Sequence, residues 1–170
     1  MFKWIGPAKE VKGGGGSATQ KWKVIVARKS GFNPLNTVEV KGRLEVDVIF
    51  DPTDPRGVLA HEMTHVDKWK EHWDYLKSEI DWLERDWCKP CDKLAIDFGN
   101  ASSNYWEAQG DLQQAIFDVA EYSAWNSGVS RVRLLAKIRD KDAKTTARDK
   151  EKVKYDKAKS KFNSSGCFKK

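Results

Sequence analysis

From Lys21 to Phe50, apolar and polar positions alternate with the two-residue period of strands that bury one face. Trp22, Val24 and Val26 alternate with Lys21, Lys23 and Ile25, and Val38 and Val40 with Thr37 and Glu39. Leu44, Val46, Val48 and Phe50 alternate with Glu45, Asp47 and Ile49. Gly31-Phe32-Asn33-Pro34 and Lys41-Gly42 punctuate the runs as turns, so the pattern predicts three strands in a small antiparallel sheet. The period then changes. Asp54 before Pro55 is a helix start, because an Asp side chain accepts from free backbone N–H groups and proline's fixed φ suits the first helical position. Val58, Leu59, His61, His65, Trp69, Trp73 and Leu76 follow at helical spacing, and helical character continues through Ile80, Leu83 and Trp87 to Pro90. Ser103 or Asn104 caps a second predicted helix holding Trp106, Leu112, Ile116, Val119, Ala120 and Ala124, with its end near Asn126-Ser127-Gly128. Residues 130–160 read as a last helix, amphipathic at Val132, Leu135 and Ile138 and highly charged beyond. Strands followed by helices make the expected class α+β, a small antiparallel sheet followed by a mostly helical domain.

The length of 170 residues suits one domain, and 39% hydrophobic residues with eight Trp can supply its core. We expect an N-terminal segment at 1–20, the main domain at 21–140 and a charged helical segment at 141–170. Gly13-Gly14-Gly15-Gly16-Ser17 reads as a flexible joint, compatible with an engineered linker and with a native one. If it is engineered, residues 1–12 read as a tag, a partner-derived segment or a displaced native strand. Polar Lys3 and Lys9 interrupt Phe2, Trp4 and Ile5, and no run approaches the roughly 18 apolar residues that span a bilayer. We therefore expect neither an export signal nor a transmembrane helix. The net charge of +6 is uneven. Residues 141–170 carry eleven Lys or Arg against Asp142, Asp149, Glu151 and Asp156, a local +7 that leaves the rest at −1. That distribution speaks against a basic face gripping a specific nucleic acid and for a charged helix on a nearly neutral domain.

Chemistry concentrates at His61-Glu62-Met63-Thr64-His65. Two histidines four apart lie about one turn apart on one helix face, so both imidazoles can reach a single zinc ion, and the glutamate between them lies where a reacting water would sit. Glu62 is then the general base. The apolar turn Val58-Leu59-Ala60, the strands just before it, and the fact that two of only three histidines fall in the motif favour this reading over an ordinary amphipathic helix. Three cysteines exclude a four-thiolate zinc site. An oxidising destination is expected, with Cys88 and Cys91 bridged or Cys167 joined to one of them.

With a sheet ahead of this helix, residues 21–128 resemble the zincin metallopeptidases. The resemblance implies a zincin-like fold, one zinc per chain, a polypeptide substrate and a third ligand from elsewhere in the chain. A metzincin-type ligand would need Gly at 68 and His or Asp at 71, where Lys68 and Glu71 stand. On a straight helix Glu71 lies about 15 Å along the axis from His61, and His72 fails for the same reason. The gluzincin-like alternative takes a glutamate from a downstream helix, and Glu121-Tyr122-Ser123-Ala124-Trp125 resembles that motif, with Trp125 where many relatives carry Asp. The resemblance therefore implies His61, His65 and Glu121 as ligands. Glu107 is the competing ligand, Asp118 a further ligand candidate or a neighbour of the centre, and Tyr122 or Tyr105 a transition-state stabiliser. An edge strand beside the cleft is expected to hold an extended peptide.

The chain is also similar to peptidase domains of bacterial secreted effectors and toxins. That similarity implies delivery by a carrier protein to the periplasm or extracellular space without a signal peptide of its own, and an immunity or inhibitor partner. Two alternatives stand beside the endopeptidase: a zinc amidase acting on cell-wall peptides, and an inactive zincin-fold binding protein.

Overall fold

The computed structural model describes residues 2–5, 8–10, 16–29, 36–53, 58–88, 90–125 and 131–167. Strands β1 (Phe2–Ile5), β2 (Ala8–Glu10), β3 (Gly16–Arg28) and β4 (Asn36–Phe50) precede helix α1 (Val58–Ile80). A short 3-10 turn at Asp81–Leu83 and strand β5 (Asp86–Trp87) lead into the long helices α2 (Cys91–Trp125) and α3 (Arg131–Ser164). The fold is α+β, as the order of periodicities predicts. The expected turn at Gly31–Pro34, the helix start at Asp54–Pro55, Gly13–Gly15 and the helix end at Asn126–Gly128 lie outside the described residues.

Every other strand in the sheet pairs with β4, which is one continuous strand of 15 residues rather than two joined at Lys41-Gly42. Gly42 is a buried position inside the strand, facing Val24 on one side and Phe2 on the other. Here glycine is a paired strand residue, not a turn. β3 and β5 run antiparallel to β4, but β1 and β2 run parallel to it, so the sheet is mixed where an antiparallel one was expected. The N-terminal residues are thus strands of this sheet. The expected alternation holds on the inner face, where Ala18, Trp22 and Val26 of β3 and Val38, Val40, Leu44, Val46, Val48 and Phe50 of β4 are buried.

Gly16 begins β3 rather than a free joint. A Cβ there would lie 2.2 Å from Val58 Cγ1, 3.1 Å from the Ile49 carbonyl oxygen and 3.2 Å from Glu62 Cγ. Gly16→Ala forces strand and helix apart, and overpacking of this kind costs about 1–3 kcal/mol. The expected result is a lower melting temperature for the variant, read by circular dichroism.

α1 buries Val58, Glu62, His65, Val66, Trp69, His72, Trp73, Leu76 and Ile80, the stripe of a helix lying on a sheet. It ends at Ile80, so Leu83 and Trp87, expected on the same helix, belong to the 3-10 turn and to β5. α2 begins at Cys91, twelve residues before the expected cap. Ser103 is buried inside it, and the true start has the Cys88 carbonyl accepting from the N–H groups of Cys91 and Asp92 at 2.7 and 3.2 Å. Buried Asp92 pairs with Arg28 at the end of β3.

α3 packs antiparallel to α2. Lys137 reaches Asp118, Lys144 reaches Asp111, Arg148 reaches Gln109, and Phe162 stacks on Phe98, so positions fall along one helix as they rise along the other. The division expected at residue 140 falls inside this helix. Its charged half is not simply a solvated segment: Tyr155 and Phe162 are buried in the common core. Glu79 of α1 accepts from Trp106 Nε1 at 2.9 Å, from Lys159 Nζ at 3.1 Å and from the Tyr155 hydroxyl, tying three helices together. Burial, then the bond to Glu79, pushes the Tyr155 hydroxyl up to about 12, so it stays a donor. Beyond α3, Gly166 takes a left-handed φ of 73°, which glycine adopts without steric cost. The chain there brings Cys167 to a disulfide with Cys91. Among the described residues no helix is long and apolar enough to cross a membrane.

Candidate metal centre

Spacing alone brings His61 and His65 onto one face of α1, and their Nε2 atoms lie 3.4 Å apart. Glu121, 56 residues after His65, closes the group from α2: its Oε1 lies 2.7 Å from both imidazole nitrogens. The three donor atoms all fall within 4.8 Å of one another. Two imidazoles and a carboxylate form a set that can hold a divalent metal ion, and the separations test the fit. Tetrahedral coordination with bonds of about 2.0–2.1 Å spaces donors by roughly 3.3 Å. The two histidines already stand at that separation, while the carboxylate, drawn in to hydrogen-bonding distance, would withdraw by about 0.6 Å to admit an ion.

Two glycines explain why α2 delivers Glu121 there. A Cβ at Gly99 would meet Val26 Cγ2 at 2.8 Å, and one at Gly110 would meet Gln20 Nε2 at 2.9 Å. Both therefore let the backbone of α2 press directly on β3. Gly99, Gly110 and Glu121 are spaced by eleven residues, three turns with a drift of only about 20° per step. The face that seats the helix on the strand thus carries the glutamate to the histidines.

His65 is 1% exposed. The edge of Phe117, one turn before Glu121, meets its ring at 4.5 Å, and Trp69 packs at 6.1 Å. Burial, outweighing Glu121, pulls His65 below the usual histidine range, toward the neutral form able to donate a lone pair. Its Nδ1 is buried and has no hydrogen-bond partner among the described residues. Ligating histidines usually give that N–H to a carboxylate or carbonyl. Here aromatic packing orients the ring instead.

Glu62 is 7% exposed, an unusual burial for a carboxylate. Its carboxyl lies above the ordinary glutamate range, first because of burial and then because of Glu121, with His61 and a hydrogen bond from the Ala18 N–H acting the other way. Ala18, Phe117 and the two glycines are the parts of the centre that the motif alone does not reveal. The 11-residue spacing of Gly99, Gly110 and Glu121 is the signal that could have found the last two.

The remaining candidates lie elsewhere. Glu107 stands 14 residues before Glu121 on the same helix, about 21 Å along its axis, and does not join the group. Tyr105 stacks on Tyr155 at 5.0 Å, away from the histidines. Tyr122 is half-buried beside Glu121, but successive helical residues diverge by about 100°, so the two side chains leave α2 in different directions. Asp118 accepts from Gln114 and Lys137 at 2.7 and 2.6 Å. Glu71 pairs with Lys68 on the surface, and His72 packs against Trp106 at 5.7 Å. A cavity of about 340 Å³ opens one turn away, lined by Ala18, Gln20, Trp69, Gln114, Asp118 and Lys144. No protein-family model, curated protein or solved structure matches this chain.

Proposed function

We propose that this chain is a single-zinc endopeptidase in which His61, His65 and Glu121 hold the metal and Glu62 is the general base. One observation carries the reading: a buried His65, His61 and a carboxylate 56 residues distant converge within 4.8 Å, with a second, buried carboxylate between the two histidine positions. When bound, zinc supplies Lewis-acid polarisation of a scissile carbonyl and eases loss of a proton from water. Glu62 takes the proton of the attacking water and hands it to the leaving amine nitrogen, so the peptide bond is hydrolysed without a covalent enzyme intermediate. Glu62 lies against β3, where the Ala18 N–H opposes the upward shift of its carboxyl. Polypeptide is the proposed substrate class. The Cys91–Cys167 disulfide favours action outside a reducing cytoplasm, in keeping with a delivered domain.

Elemental analysis of the wild type, His61→Ala and Glu121→Ala tests the centre. About one zinc per chain in the wild type, lost in both variants, is the expected result. Full retention in Glu121→Ala removes that ligand, and absence of zinc from the wild type after purification with added zinc sinks the proposal. Incubation with casein and with purified cell wall then separates the endopeptidase from a cell-wall amidase. A protein that binds zinc and cuts neither has the fold of a peptidase without its activity.

A further inference from the structure

Three sulfurs meet at the start of α2. The disulfide joins Cys91 to Cys167, and the exposed free thiol of Cys88 lies with its Sγ 3.2 Å from Cys91 Sγ. The Cys88 carbonyl accepts from the Cys91 N–H at 2.7 Å, a turn that holds the two Cα atoms within about 7 Å, close to the span of a disulfide. We propose that this cluster is a thiol–disulfide exchange site, in which the bridge passes from Cys91–Cys167 to Cys88–Cys91 and releases the end of α3.

The step balances within the chain. The Cys88 thiolate attacks Cys91 Sγ, the Cys88–Cys91 bond forms as the Cys91–Cys167 bond breaks, and Cys167 leaves as a thiolate that takes a proton from water. One thiol and one disulfide are present before and after, so no external oxidant or reductant takes part. Cys91 is the sulfur attacked because it is the one in contact, and its burial keeps it the shared partner in both isomers. The step matters to the fold because Cys91–Cys167 closes a loop 76 residues long, whereas Cys88–Cys91 closes a single turn and leaves the segment after Phe162 without a covalent tie.

The trypsin map reads the exchange directly. Trypsin leaves the Lys89–Pro90 bond intact, so residues 86–93 form one peptide holding both Cys88 and Cys91, and residues 162–169 form the peptide of Cys167. The wild type is incubated without reductant in mildly alkaline buffer, quenched at intervals with an alkylating reagent, digested and analysed by mass spectrometry. The alkyl label is expected to shift in part from Cys88 to Cys167, with an internally bridged 86–93 peptide appearing in step and at a rate independent of protein concentration. Cys88→Ser is expected to keep the Cys91–Cys167 cross-link throughout. Brief native trypsin is expected to cut Lys157, Lys159 and Lys161 several-fold faster in the exchanged isomer. A label confined to Cys88 until denaturant is added overturns the proposal, as does a rate that rises with protein concentration. Equal cutting of the two isomers overturns the release of α3.

Discussion

Glu62→Gln is expected to lower casein hydrolysis by about 10²–10⁴-fold while leaving the zinc content of the protein unchanged. The substitution keeps the size and a polar amide in place of the carboxyl, so the buried position stays filled and the melting temperature changes by only a few degrees, far less than the activity does. What disappears is the ability to take a proton. Glu62→Ala is a poorer probe, because it removes both the base and the group that meets Ala18. The split between activity and metal content is what a merely structural glutamate would not give. A Glu62→Gln protein that keeps its activity assigns the base elsewhere, and one that loses its zinc makes Glu62 part of the binding set.

The two halves of the candidate centre differed in how plainly they could be read. His61, Glu62 and His65 are local: four residues on one helix fix their mutual position whatever the rest of the chain does. Glu121 was legible only through a resemblance to a downstream Glu-x-x-Ala motif, because its place depends on how α2 crosses α1 and β3, which here rests on Gly99 and Gly110 giving β3 room. Those glycines look like helix-weakening residues until the strand beneath them is known. Errors in the element boundaries have a similar origin. Ile80, Leu83 and Trp87 keep helical spacing, yet the chain leaves the helix at Asp81, and the Trp87 indole donates to the Leu83 carbonyl at 2.9 Å across the turn that follows. Ser103 and Asn104 carry cap chemistry, but Ser103 lies in the close-packed part of α2, where a small side chain is useful for its size. The mixed character of the sheet was hidden because β1 and β2 are short and lie before the glycine run.

The basic end of the chain shows what a charge count conceals. Within α3, Tyr155 and Phe162 are seven residues apart, two turns, and they alone are buried on a helix otherwise dominated by Lys, Arg and Asp. Phe162 has no exposed surface. It stacks on Phe98 at 5.4 Å and packs against Trp82 at 5.6 Å and Trp87 at 5.4 Å, joining α2, the 3-10 turn and β5. Phe162→Ala leaves a cavity among three rigid rings that cannot collapse into it, and such truncations cost about 3–5 kcal/mol. For a chain of this size the melting temperature should fall by roughly 6–20 °C. Val153→Ala, on the same helix but 69% exposed, is the control and should change it little. Both variants are measured with the Cys91–Cys167 bridge intact, because that bridge holds α3 near the core even after its anchor is cut. If Phe162→Ala melts like Val153→Ala, the aromatic cluster does not anchor α3. α3 would then be held by the disulfide and by its ion pairs to α2, and exposed pairs of that kind contribute at most about 1 kcal/mol each. A large drop, by contrast, makes the lysine-rich helix a wall of the domain, packed through Phe162 against α2, the 3-10 turn and β5.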